Sequence, residues 1–302
     1  MDGVLIIRNG YLVYESYFNN YDATKLHDVA SVTKSFASAV VGVAQAQGKL
    51  MNLDAKLPEL LPAYFEGGKH ADKKDITLRH LLMMRSGLEW SEQASNDGLL
   101  GDPATLLSQD LTEAILSLPV THPPGEAWNY STADVQLVSA IVQQATSVSM
   151  KAFAAQHLFA PLNIHEFEWQ QLTNGTTVGG TLLRLTPRDM AKLGQLYLQR
   201  GVWAGQQVVL ADWVSLTTTS QGPAANVDWY GYLWWLRERG YYDARSNAIV
   251  AYGYGGQFIV ALPELDLIVV TTATYEVNSG QAGAQEQAVY ELIRDVILPT
   301  VK

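Results

Sequence analysis

The chain has 302 residues, 48% hydrophobic and 17% charged, and 30 acidic against 20 basic side chains give it a formal net charge of −10. This composition predicts a globular protein with a sizeable core, folded as one large domain or two interleaved ones. The acidic balance argues against nucleic acid as a partner, since phosphate binding needs a basic face. The absence of cysteine excludes disulfides, thiolate nucleophiles and cysteine-ligated zinc.

No stretch approaches the roughly 20 apolar residues that a membrane-spanning helix needs. The N-terminus also lacks the basic segment and long apolar run of a signal peptide. As written, the sequence fits a cytoplasmic enzyme, and an exported one is expected if the N-terminus has been trimmed. The compartment therefore stays open.

The chain is predicted to open with a β-hairpin followed by a helix. Two apolar runs, 4–7 and 11–14, flank Asn9-Gly10, the favoured dipeptide of a two-residue hairpin turn. Residues 31–47 then have a broad apolar face at helical spacing, and Gly48 suits the end of that helix.

The middle of the chain is predicted to be mostly helical. Ser131-Thr132-Ala133-Asp134 is typical of a capping box that opens a helix reaching Ala145. Residues 151–158 form another helical stretch. Thr186 and Pro187 suit the cap and first turn of a further helix that ends at Gly201.

Near the C-terminus the hydrophobic period changes to that of strands. Residues 248–252, 257–262 and 267–272 are short β-prone runs, and a helix is predicted from about 281 to 297. The order predicts an α+β fold, with a five-stranded antiparallel sheet built from both chain ends and flanked by helices. We predict a discontinuous sheet domain of residues 1–50 and 185–302, a mostly helical domain of residues 51–184, and an active site at their interface.

Ser31-Val32-Thr33-Lys34 is the only Ser-x-x-Lys in the chain and lies where the first helix begins. Residues i and i+3 share a helix face, so Lys34 is placed to act as a base on the Ser31 hydroxyl. Burial and the helix N-terminus both disfavour the charged amine, and the Ser31 N–H would be free to bind an oxyanion. A motif this short also occurs by chance roughly once in such a chain.

Two further sequence elements indicate a catalytic role only in combination with Ser31 and Lys34. Tyr130 precedes a capped helix, where its phenol would project into a cleft or pack in the core. Tyr254-Gly255-Gly256-Gln257 carries glycines that allow a ligand close to the backbone or merely form a turn. The N–H of Gln257 is a candidate second oxyanion donor.

The three elements, in this order, resemble those of serine β-lactamases, penicillin-binding proteins and related esterases. The segments 78–88 (LRHLLMMRSGL), 123–126 (PPGE) and 185–190 (LTPRDM) also resemble family stretches, so the resemblance covers nearly the whole chain. It implies a β-lactamase/DD-peptidase-like fold with Ser31 as nucleophile, Lys34 as general base and Tyr130 assisting proton transfer. It also implies an oxyanion hole from the N–H groups of Ser31 and Gln257.

The sequence departs from the class C β-lactamases at two motifs. Thr132 stands where those enzymes have Asn, and Tyr254-Gly255-Gly256 stands where they have Lys-Thr-Gly. The missing lysine weakens the prediction of efficient β-lactam hydrolysis. The glycine-rich pattern is more similar to the family VIII carboxylesterases and the 6-aminohexanoate-dimer hydrolases. Thr132, Tyr254, Gly255 and Gly256 are candidate substrate-binding residues, and Trp234 either walls an acyl pocket or packs in the core.

The resemblance therefore predicts a serine hydrolase that acts on carboxylic esters through an acyl-enzyme. An amidase or peptidase on short linear amides or D-amino-acid peptides, and a weak β-lactamase, are the alternatives within this class. A non-catalytic relative that is acylated without turnover is the alternative outside it. No metal or organic cofactor is implied, the histidines show no metal-binding spacing, and the oligomeric state is left open.

Overall fold

A computed structural model of the protein describes residues 1–92, 110–224 and 229–302. Its residues cluster into two compact units. Unit 1 comprises Met1–Phe36, Pro161–Glu168 and Thr181–Lys302, and unit 2 comprises Ala37–Ala160 and Trp169–Gly180. The division after Phe36 falls inside the first long helix, whereas the predicted boundary lies further along the chain, at residue 50. The predicted domain assignment itself stays a prediction.

The strands of the described chain are mostly short and belong mainly to unit 1. They are β1 (Gly3–Arg8), β2 (Tyr11–Tyr17), β3 (His27–Asp28), β4 (Glu168–Trp169), β5 (Leu183–Leu185), β6 (Val202–Trp203), β7 (Gln206–Gln207), β8 (Trp229–Tyr230), β9 (Trp235–Arg237), β10 (Ala248–Gly253), β11 (Gln257–Leu262) and β12 (Leu267–Thr272).

The main sheet of unit 1 has the strand order β2-β1-β12-β11-β10-β9-β8, and its paired strands are antiparallel. The predicted α+β fold class is confirmed, and both chain ends contribute to the sheet. The predicted strand count of five is wrong, because β9 and β8 extend the sheet beyond β10. These two strands hold only three and two residues, too few for an alternating pattern to mark them.

The turns of the sheet follow the sequence. Asn9 and Gly10 both have positive φ angles, 50° and 76°, as the predicted two-residue turn requires. At the other end, a short 3₁₀ turn (Pro263–Leu265) and Asp266 at φ 43° reverse the chain between β11 and β12. Short local turns therefore connect neighbouring strands of the sheet near both ends of the chain.

Five helices of the described residues, those that begin at Val32, Thr132, Met150, Pro187 and Ser279, lie at or near predicted positions, whereas the other four were not predicted individually. In chain order, the helices of these residues are α1 (Val32–Ala46), α2 (Leu57–Leu60), α3 (Leu78–Leu82), α4 (Leu111–Leu116), α5 (Thr132–Thr146), α6 (Met150–Ala154), α7 (Pro187–Leu198), α8 (Ala211–Thr217) and α9 (Ser279–Glu291). Helices α6 and α9 each continue into a π-helical turn, Ala155–Phe159 and Leu292–Ile297. Within the described ranges, none of these helices combines the length and apolar character needed to cross a membrane.

Alternation along the central strands gives the sheet of unit 1 two buried faces. A Cβ on Gly194 of α7 would lie 2.9 Å from Ile259, so α7 packs closely on one face. Phe258 and Val260, on either side of Ile259, join Val289 and Ile293 in the apolar cluster of the other face. The C-terminal helix α9 and its extension thus cover the face opposite to α7.

In unit 2, helix α5 begins at a buried polar cluster. The Ser131 hydroxyl accepts the N–H of Asp134 at 3.0 Å, which is the predicted cap. The Asp134 carboxylate accepts the hydroxyls of Ser86 and Ser131 at 2.6 and 3.2 Å. It is fully buried, and within the described chain its Oδ2 atom has no hydrogen-bond partner. Desolvation therefore raises the pKa of Asp134 to about 7, against the lowering effect of the two serine hydroxyls.

We expect Asp134→Asn to change the pH dependence of stability. Because the fold favours the protonated acid, the free energy of unfolding of the wild type should fall as pH rises from about 4 to about 7. The full difference corresponds to about 4 kcal/mol. The amide mimics the neutral acid, so the variant should lack this decrease. Urea unfolding across that pH range would measure it, with the exposed Asp212→Asn as control. Parallel curves for Asp134→Asn and the wild type would contradict the assignment.

Candidate active site

Ser31 and Lys34 lie together at the start of α1. The Lys34 Nζ donates a hydrogen bond to the Ser31 Oγ at 2.8 Å. The lysine side chain is 1% exposed, whereas Ser31 is half-buried. A hydroxyl open to a ligand is therefore in direct contact with an amine withdrawn from water, which is the arrangement that nucleophile activation requires.

The chain reaches Ser31 through a strained residue. Ala30 has φ 48°, in the left-handed region that an L-residue with a Cβ rarely adopts. Its N–H donates to the Asp28 carboxylate at 2.8 Å, and its carbonyl accepts the Thr33 hydroxyl at 2.6 Å. These two bonds hold the sharp turn from β3 into α1, and with it the position of Ser31.

The end of β10 lies against the same turn. A Cβ on Gly253 would be 2.5 Å from the Val29 carbonyl oxygen and 3.2 Å from the Ala30 Cβ. Only glycine allows two backbones this close. Gly253, which directly precedes the Tyr254-Gly255-Gly256-Gln257 motif, thus brings β10 into contact with the two residues before Ser31.

The hairpin loop Tyr254–Gly256 is held by helix α9. The Gly255 N–H donates to the Glu286 carboxylate at 2.9 Å, and the Gln285 side chain donates to the Gly255 carbonyl at 2.6 Å. Gly255 and Gly256 have φ angles of 78° and 104°, which glycine tolerates. The Tyr254 hydroxyl donates to the Val277 carbonyl at 3.0 Å, and its side chain is 37% exposed. The loop is therefore fixed in position while Tyr254 remains open to a ligand.

Gln257 begins β11 opposite Gly253 and is fully buried. Its side-chain amide exchanges two hydrogen bonds with the backbone of Ala273, at 3.0 Å to the N–H and 2.7 Å to the carbonyl. This side chain therefore ties β11 to the segment after β12. The oxyanion role predicted for its N–H stays a prediction.

Trp234 does not line an open surface. Its side chain is fully buried, and its ring lies 4.4 Å from that of Tyr197. The preceding carbonyl, of Leu233, accepts the Ser35 hydroxyl at 2.8 Å. The core alternative that the sequence left open for Trp234 fits this placement, and the substrate-binding alternative does not.

Tyr130 and Thr132 belong to unit 2. Tyr130 is half-buried and immediately precedes the cap of α5. Thr132 is 4% exposed, and both its N–H and its hydroxyl donate to the Glu92 carboxylate, at 2.6 and 3.0 Å. The Trp90 indole N–H donates to the same carboxylate at 2.7 Å. A carboxylate at the first turn of a helix is also favoured by the helix dipole.

The sequence analysis missed the residues that support these motifs. Glu92, Asp28, Gln285 and Glu286 all act through backbone groups far along the chain or across a turn. Only Asp28 carried a usable signal, because an aspartate readily accepts the backbone N–H two residues further along the chain, here that of Ala30. No group of three or more histidine, aspartate or glutamate side chains suited to hold a metal ion occurs in the described ranges.

Comparison with known proteins places this geometry in a family. The model of the Beta-lactamase family matches residues 2–292. Protein flp of Staphylococcus aureus strain MW2 is 26% identical over 176 residues, which is 56% of this chain but only 34% of flp. The chain thus matches about a third of the length of that curated relative.

Two solved structures share the fold. A protein assigned as a 6-aminohexanoate-dimer hydrolase from Bacillus anthracis superposes with a TM-score of 0.81 at 19% identity, covering 100% of this chain and 80% of that one. EstCE1, a hydrolase with promiscuous acyltransferase activity, gives a TM-score of 0.71 at 18% identity and covers 95% and 93% of the two chains. With a family model that matches almost its whole length, the chain belongs to the Beta-lactamase family, whose members are generally serine hydrolases.

Proposed function

We propose that the protein is a serine hydrolase that cleaves carboxylic esters through an acyl-enzyme on Ser31. The observation that carries the proposal is the 2.8 Å contact between the Ser31 Oγ and the buried Lys34 Nζ. A serine hydroxyl needs an adjacent base to attack a carbonyl, and burial favours the neutral amine that can serve as one.

The reaction has two steps. Lys34 in its neutral form takes the Ser31 proton while Oγ attacks the ester carbonyl, and the tetrahedral intermediate collapses with loss of the alcohol. The proton passes to the leaving oxygen, a transfer that we assign to Lys34 with help from Tyr130. Water then attacks the acyl-Ser31 ester by the same route and releases the carboxylic acid, which restores the serine hydroxyl.

For the oxyanion hole we propose the N–H groups of Ser31 and Gln257, the two donors that the sequence suggested. The placement of Gln257 supports this proposal. Gln257 pairs with Gly253 across the hairpin, and Gly253 lies against Val29 and Ala30, the two residues before Ser31.

Tyr254 supports an ester rather than a β-lactam as substrate. It occupies the position of the lysine in Lys-Thr-Gly, so the loop presents a half-exposed phenol ring instead of a cation. An aromatic wall favours a neutral, apolar acyl or alcohol group over a carboxylate. The likeness to EstCE1, a hydrolase with promiscuous acyltransferase activity, supports an acyl-enzyme, and the likeness to the 6-aminohexanoate-dimer hydrolase supports linear amides as the second candidate substrates.

Ser31→Ala should abolish hydrolysis of p-nitrophenyl butyrate, with a loss of about a thousandfold or more in kcat/KM. The exposed Ser215→Ala is the control and should behave as wild type. Nitrocefin measured in parallel should be cleaved more slowly than the ester, and faster cleavage would indicate a β-lactamase. Equal ester turnover by Ser31→Ala and wild type would remove Ser31 as nucleophile. Covalent capture of the ester without turnover would instead indicate a non-catalytic relative.

Lys34→Met should separate activity from stability. Methionine fills a similar volume without a base, so ester turnover should fall about a thousandfold, as expected when the partner of a nucleophile is lost. The melting temperature should hold or rise, because an apolar residue replaces a buried polar one. Retained turnover in a folded Lys34→Met protein would exclude Lys34 as the base.

Gly253→Ala should lower kcat/KM about a hundredfold, because a Cβ at 2.5 Å from the Val29 carbonyl must displace the turn that carries Ser31. Gly283→Ala is the matched control, since a Cβ there meets no atom within 4 Å. Ester kinetics together with melting temperatures would separate displacement from unfolding. Unchanged kinetics in Gly253→Ala would show that this contact does not position the nucleophile.

A further inference from the structure

Unit 1 contains an aromatic-lined cavity away from Ser31. Its volume is about 510 Å³. Six aromatic side chains surround it, namely Trp235, Tyr241, Tyr242, Tyr252, Phe258 and Tyr290. We call this cavity the aromatic pocket. Its remaining lining includes one cation, Arg237, and one anion, Glu286.

The aromatic pocket opens on the face of the sheet opposite to the nucleophile. Tyr252 pairs with Phe258 across β10 and β11, and their rings lie 5.0 Å apart on the pocket side. The next residue, Gly253, faces Val29 and Ala30. Since successive residues of a strand point to opposite faces, the pocket and Ser31 lie on opposite faces of the same hairpin.

The two charged groups of the pocket are held in fixed positions. The Arg237 guanidinium lies 5.4 Å from the Trp235 ring centroid and 4.8 Å from that of Tyr241. Aromatic rings that lie over the face of a guanidinium leave its N–H groups, which point outward in its plane, accessible to a hydrogen-bond acceptor. A guanidinium has five N–H donors, which is more than a single partner uses. Glu286 is anchored by the Gly255 N–H, and a carboxylate with about four acceptor sites can also receive an ammonium.

We propose that the aromatic pocket is a second ligand site, and that it binds a small amino carboxylate with an apolar body. The ligand carboxylate would pair with Arg237, its ammonium would pair with Glu286, and its apolar part would stack on the aromatic walls. A singly charged ligand is disfavoured, because it satisfies one of the two groups and is repelled by the other.

Binding at the aromatic pocket would also affect the β10–β11 hairpin and its loop, Tyr254–Gly256. The carboxylate that receives the ligand ammonium is the one that holds the Gly255 N–H. A ligand that fixes Glu286 therefore stabilises the loop Tyr254–Gly256 from the face opposite to Ser31. This gives the site a physical route to the active centre through one hydrogen bond.

Isothermal titration calorimetry with phenylalanine tests the site. We expect a Kd below about 10 mM, and at least about tenfold weaker binding of phenylpropanoate and of phenethylamine, which each lack one charge. Arg237→Met removes the cation, and Gly283→Leu fills a position where a Cβ meets open space at the pocket wall. Both should weaken binding about tenfold or more. Ala284→Leu, the adjacent exposed position of α9, is the matched control and should bind as wild type.

Hydrogen–deuterium exchange tests the route to the hairpin. Phenylalanine should slow amide exchange in the segment 253–257 of the wild type and leave it unchanged in Gly283→Leu. No heat of binding, or equal binding by the singly charged analogues, would overturn the site. Binding without protection of that segment would overturn the link to the hairpin. Neither measurement depends on ester turnover, so each outcome stands apart from the fate of the proposed function.

Discussion

The hydrogen bond between the buried Lys34 amine and the half-exposed Ser31 hydroxyl is the interaction on which the rest of the candidate site depends. Lys34 is 1% exposed, yet its Nζ lies 2.8 Å from the Ser31 Oγ. Burying a lysine costs free energy unless it has a polar partner, so the fold has to supply one at that position. The helix supplies it by placing residues i and i+3 on one face at its first turn.

That contact requires a sharp turn of the chain just before α1, and the surrounding residues stabilise this turn. Ala30 adopts a left-handed conformation that costs about 1 kcal/mol or more, offset by the hydrogen bonds to Asp28 and Thr33. Gly253 lets β10 approach the same turn without a clash. The strained backbone at Ala30 is thus supported from both sides, which keeps Ser31 in position beside Lys34.

The sequence predicted what is encoded locally. The Asn9-Gly10 turn, the Ser131 cap of α5 and the helix carrying Ser31 and Lys34 are each set by residues within a few positions of one another. Strands β8 and β9 were not predicted because two or three residues show no hydrophobic period. They are set by pairing instead, β9 with β10 and β8 with β9.

Side-chain placement across long sequence separations could not be predicted either. Glu92 holds Thr132 across forty residues, and Glu286 holds Gly255 across thirty-one, with no spacing rule that links them. Trp234 is buried by Tyr197, a residue of α7 that only the tertiary fold brings near. The motifs therefore predicted which groups could react, whereas the network that holds them is a property of the folded chain.

Because side chains alternate between the two faces of a strand, the β10–β11 hairpin contacts a different environment on each face. Tyr252 and Phe258 face the aromatic pocket, while the neighbouring pair Gly253 and Gln257, one residue closer to the loop on each strand, occupies the opposite face. A strand whose glycine has to lie against Val29 and Ala30 cannot use that residue for side-chain packing, so the neighbouring aromatic pair stabilises the hairpin. Glu286 and Gln285 then fix the loop from α9. The position of the loop Tyr254–Gly256 is consequently set by side chains of α9, a helix that covers the face of the sheet opposite to α7.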